Sequence, residues 1–116
     1  MSVSQDGSNE IVLRYDSSPN LALNITSGGV AQFGGGTVSG KTAAGEYSIA
    51  AAYAVNDAAV SVDGAAALTD ASVSLPTPTV VTIGYRSGSA YYNGHIKRLT
   101  YFPTRKTNAE LQALST

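Results

Sequence analysis

The chain has 116 residues, 43 % hydrophobic and only 13 % charged, with a net charge of −1. That length suits one domain with one core, and the sparse, balanced charge excludes a nucleic-acid binder, which needs Lys and Arg to neutralise phosphates. It has no cysteine, which excludes disulfides and thiolate metal sites, and no apolar run long enough to span a membrane.

Residues 1–9 are polar, resemble no signal peptide, and are expected to form a frayed, flexible segment ahead of a domain over 10–116. Ile11 to Tyr15 reads as a strand with Ile11, Leu13 and Tyr15 on one face. Asp16-Ser17-Ser18-Pro19-Asn20 is dense in turn formers. Leu21 to Thr26 alternates, with Leu21, Leu23 and Ile25 inward and Ala22, Asn24 and Thr26 outward. Two such runs around a short turn predict a hairpin. Gly28-Gly29 leads into Val30 to Phe33, and Gly34-Gly35-Gly36 marks a bend or bulge before Thr37-Val38-Ser39.

Tyr47 to Val55 is rich in Ala, but Tyr47, Ile49, Ala51, Tyr53 and Val55 make a period-2 stripe that predicts a strand. Ala58 to Val62 alternates again and ends at Asp63-Gly64, a tight-turn pair. Ala65 to Leu68 is a weak return strand, Pro76 and Pro78 bracket a loop, and Thr79 to Tyr85 is a further strand. After the loop Arg86 to Ala90, Gly94 opens a last strand running to Phe102, with a bulge expected near Lys97-Arg98. Thr107-Asn108-Ala109-Glu110 is a capping box that starts a short C-terminal helix. Seven or eight short strands with closely spaced turns predict an all-β antiparallel sandwich or jelly roll.

The run GEYSIAAAYAVNDAAVSVDG (Gly45–Gly64) resembles the central hairpin of laminin-G-like, concanavalin A-like jelly rolls. GHIKRLTYFPTRKTNAELQALST (Gly94–Thr116) resembles that family's closing strand, proline turn and C-terminal helix. The combination is similar to domains at the C-termini of bacteriophage and prophage tail or virion proteins. The resemblance implies a concanavalin A-like sandwich that recognises cell-surface glycan without catalysis, borne on a virion and meeting its ligand outside cells. A typical member has further strands before the position of Ile11. Their absence predicts an uncovered sheet edge, which a homo-oligomer would cover; trimers are common in the tail proteins resembled.

No catalytic constellation is visible. His95 has no carboxylate or cysteine in sequence reach, and the strand YSIAAAYAV lacks the paired acids that glycoside hydrolysis requires. Asn56, Asp57, Asp63 and Asp70 are the candidate calcium ligands, although Asn-Asp and Asp-Gly are also ordinary turn pairs, the favoured reading. The loop from Arg86 to His95 combines aromatic platforms with polar groups, the mixture a sugar site needs. Arg86, Tyr91, Tyr92, Asn93 and His95 are therefore the candidate glycan ligands, and a tyrosine pair capping the core fits the composition equally well. Lys97, Arg98, Arg105 and Lys106 read as a solvated or intersubunit face. The alternative to glycan recognition is a structural element that oligomerises or decorates a virion.

Overall fold

The computed structural model describes all residues except 16, 17, 19, 34, 35, 43, 44 and 87–89, and only the backbone of residues 3, 5 and 90. Parts of the expected 16–20 turn, of the triple glycine and of the 86–90 loop thus lie outside the described residues. The elements are β1 (Ser2–Asp6), β2 (Asn9–Tyr15), β3 (Leu21–Ser27), β4 (Val30–Ala31), β5 (Thr37–Val38), β6 (Ile49–Ala54), β7 (Asp57–Val62), β8 (Leu68–Asp70), β9 (Val80–Thr82), β10 (Tyr85–Arg86), β11 (Ala90–Tyr91) and α1 (Asn108–Leu114). No helix among the described residues is long and apolar enough to cross a membrane.

The strands pair antiparallel throughout, in three sheets. The largest runs β4-β3-β2-β1-β9, with β5 on the same edge of β3 as β4 but at its other end. The second is β6-β7-β8, and β10-β11 is a separate hairpin. The first two sheets share a core. Ile11, Leu23 and Ile25 from the larger meet Ala58, Val60 and Val62 from the smaller, and Phe33 and Val73 plug in from the connections. The architecture is β-rich and sandwich-like, with one short helix among the described residues.

Gly36 shows why the glycine run is where it is. Its carbonyl accepts from Leu23 N at 2.9 Å. A Cβ there would stand 2.5 Å from both the Leu23 carbonyl oxygen and the Phe33 ring. Only a residue without a side chain lets this connection pass so close to a core strand.

The central strand of the smaller sheet, β7, is buried on both faces. Ala58, Val60 and Val62 face the shared core, while Ala59, with Ala52 of β6, packs under Leu111 of α1. Small alanines let the helix lie close. Ser61 also points that way, and its hydroxyl bonds that of Ser115 at 2.8 Å. Thr107 caps the helix and Glu110 returns the bond to the Thr107 backbone, completing the capping box expected from the sequence. The turn after β7 matches its sequence too. Asp63 and Gly64 sit at φ 51° and 73°, the left-handed pair of a tight hairpin turn, closed by Ala65 N to Val62 O at 3.0 Å.

Other expectations are corrected. Residues 2–6, expected to fray, are β1, hydrogen-bonded to β2 on one side and β9 on the other. The sequence SVSQD carries little apolar pattern, and main-chain pairing on both sides holds the strand. The return strand forms at Leu68–Asp70 instead of Ala65–Leu68. The run Thr79 to Tyr85 divides into β9 and β10, since Gly84 turns the chain at φ 78°. The largest departure is the last strand: residues 94–102 form no strand and no bulge, and lie exposed.

Candidate functional site

The β10-β11 hairpin places Tyr85 directly opposite Tyr91. A cross-strand aromatic pair is the natural filling of such a position, and the two rings lie 5.7 Å apart with a 31° tilt. Tyr92 continues the hairpin, its N–H donating to Gly84 O at 2.8 Å. The Tyr92 ring folds back over Gly94, where a Cβ would stand 2.7 Å from Cζ. All three rings reach solvent, Tyr91 most of all at 75 % exposure.

The hairpin is fixed to the larger sheet by an ion pair. Arg86 Nε donates to Glu10 Oε2 at 3.0 Å, and its Nη2 donates to Oε1. Glu10 is only 1 % exposed, so this is a bidentate charge pair with its acid end inside the protein. Hydrogen bonding to Glu10 holds the Arg86 guanidinium above its ordinary pKa. Arg86 therefore stands in the site as a fixed cation whose main-chain neighbours carry the aromatic pair. Among the expected ligands, Asn93 and His95 are exposed and make no hydrogen bond within the chain among the described residues. The structure thus places Arg86 and Tyr91 on one hairpin and Tyr92 at its end, with Asn93 and His95 following along the chain.

Two residues of this site were not singled out by sequence reasoning. Tyr85 closes an apolar run and reads as a strand end. The usable signal was two tyrosines six positions apart around turn formers, which is a hairpin pair. Glu10 lies 76 positions from Arg86, and no local pattern links them.

Of the four candidate calcium ligands, Asn56, Asp57 and Asp70 lie at one end of the smaller sheet and Asp63 at the other. Asp57 begins β7 and is bound by Arg105 at 2.6 Å, whereas Asp63 lies past the other end of that strand. Asp70 accepts from Ser72 N and Oγ at 2.8 and 2.9 Å, a local turn of the kind short acidic side chains make. Asn56 occupies a turn at φ 57°. Among the described residues, no three His, Cys, Asp or Glu side chains gather to hold a metal ion. Of the basic group, Lys97 pairs with Glu46 and Lys106 with Glu110, while Arg98 is exposed.

Asp63 itself is structural. It accepts from Lys41 Nζ at 2.7 Å and from Ser48 N at 2.9 Å, and the bond from Lys41 lowers its pKa from the ordinary 3.8. A carboxylate with a depressed folded pKa stabilises the protein above its unfolded pKa, and that contribution is lost as pH falls through the folded value. Asp63→Asn keeps a side chain suited to positive φ but removes the charge. Thermal melts at pH 7 and pH 3 are expected to show a smaller acid-induced loss of Tm in this variant than in the wild type. Equal losses would mean that Lys41 gives Asp63 no net stabilisation.

Comparison of the chain with protein-family models, curated proteins and solved structures finds no match.

Proposed function

We propose that this chain is a non-catalytic carbohydrate-recognition module, a laminin-G-like jelly roll of a bacteriophage or prophage tail or virion protein that binds cell-surface glycan. The observation that carries the reading is the solvent-facing tyrosine group of Tyr85, Tyr91 and Tyr92 on a hairpin clamped by Arg86 and Glu10. Sugar rings present CH-rich faces edged by hydroxyls. Phenol rings offer a flat partner for those faces and a polar tip for the hydroxyls, with few rotors to immobilise. Asn93 and His95 add donors and acceptors alongside. Glu10, the carboxylate that anchors the hairpin, is bound on both oxygens by Arg86, which suits holding a sugar better than cleaving one. The sandwich-like architecture fits the resemblance at the level of fold, and fold alone does not assign function.

The test is a glycan array of bacterial surface polysaccharides, probed with the wild type and with Tyr91→Ala. The wild type is expected to bind a restricted set, and the variant to bind that set about tenfold more weakly, the effect of losing roughly 1.4 kcal/mol of ring contact. Absence of binding by the wild type would reject the reading, and equal binding by both proteins would reject the site.

A second reading is favoured by a different observation. The exposed apolar residues of segment 94–102 suit a structural element that assembles with copies of itself, with or without sugar binding.

A further inference from the structure

Residues 93–106 combine strand-type chemistry with no strand. The stretch His95-Ile96-Lys97-Arg98-Leu99-Thr100-Tyr101-Phe102 is rich in β-branched and aromatic residues. Among the described residues, its main chain makes no backbone–backbone hydrogen bond, and Ile96, Leu99, Tyr101 and Phe102 are all exposed. Salt bridges hold the stretch against its own smaller sheet, Lys97 to Glu46 just before β6 and Arg105 to Asp57 at the start of β7.

The other sheet has the complementary defect. β9 is its last strand and its outer edge has no partner among the described residues. Val81 stands in the register row that passes through residue 3 to Ile11 and Ile25. Those two isoleucines are buried in the core, yet Val81 is 63 % exposed. The cover over this row stops short of β9. A chain edge with open N–H and C=O groups is a template for another strand.

Seven large apolar side chains from Val80 to Phe102, outside the tyrosine site, are exposed: Val80, Val81 and Ile83 on and just after β9, and Ile96, Leu99, Tyr101 and Phe102 in the 94–102 segment. In a contact between the edge of one copy and the segment of another, each copy contributes one of these two groups. A foreign partner would satisfy either the free edge or the free segment. A second copy brings one of each, and repetition of the same contact can close into a ring.

We infer that residues 94–102 of one copy add as a strand to the free edge of β9 in a second copy, by β-augmentation. This deepens the structural reading above and rests on it for the existence of an oligomer, but needs no sugar.

Because the chain has no cysteine, single Val81→Cys and Leu99→Cys variants can be refolded together and treated with a short bismaleimide. A heterodimeric band is expected, with the wild type a closed oligomer by light scattering. Thr100→Pro breaks no backbone bond among the described residues but blocks a new ladder. It is expected to be monomeric with the wild-type circular dichroism spectrum. A wild type that stays monomeric at all concentrations overturns both this pairing and the oligomer. An oligomer without the 81–99 crosslink, or a chain carrying both Val81→Cys and Leu99→Cys that crosslinks only within itself, overturns the pairing and leaves self-assembly standing.

Discussion

Arg86→Ala is expected to cost about 3 kcal/mol of stability, because it leaves the Glu10 carboxylate buried without its counter-charge. Glu10 sits in β2 opposite Ser4 and Thr26, on the face of the larger sheet that the β10-β11 hairpin covers through Arg86. The pair itself need not add much over an apolar filling of equal shape; the cost lies in removing one partner. The control follows from that distinction. Glu10→Gln combined with Arg86→Ala leaves no buried charge and is expected to recover most of the loss, to within about 1 kcal/mol of the wild type. Urea titrations of the two variants measure the difference. Similar losses in both would mean that the hydrogen bonds, rather than the stranded charge, dominate. The same variant bears on function: without its clamp the hairpin loses its fixed place, and the Tyr85–Tyr91 pair with it.

Leu111→Ala is expected to cost about 2–4 kcal/mol, the usual range for emptying a buried leucine site. Leu111 is 2 % exposed and lies on Ala52 and Ala59. Those neighbours are too small to fill the space it leaves. A seven-residue helix does not persist alone in water, so its retention depends on this contact and on the Ser61–Ser115 bond. Amide exchange is expected to accelerate over residues 108–114 together with the drop in stability. Leu114→Ala, on the half-exposed side of the same helix, is expected to change stability by less than about 1 kcal/mol. A large effect at Leu114 and a small one at Leu111 would contradict this docking.

The parts of the fold that were legible in the sequence are those with a local cause. The capping box at Thr107 and Glu110 and the Asp63-Gly64 turn depend on residues a few positions apart, and both formed as read. The alternation in 47–55 outweighed its alanine content: β6 turns Ile49, Ala51 and Tyr53 toward the shared core, and small Ala50 and Ala52 lie on the side that meets the helix. Residues 2–6 were misread because pairing with β2 and β9, which no local pattern in a short polar run announces, makes them a strand. Residues 94–102 carry a good strand pattern, but a pattern supplies side chains and not a partner. At the candidate site, Tyr91 and Tyr92 stood out by composition. Tyr85 and Glu10 became visible only when pairing brought distant positions together.

The most direct measurement of the central claim uses ring-labelled tyrosine and the glycan that binds best, followed by nuclear magnetic resonance. The chain has seven tyrosines, so each ring can be assigned by single substitution to Phe. The account predicts that Tyr85, Tyr91 and Tyr92 shift together on saturation while Tyr15, Tyr47, Tyr53 and Tyr101 stay in place. Shifts confined to those other rings, or none at all, would contradict it.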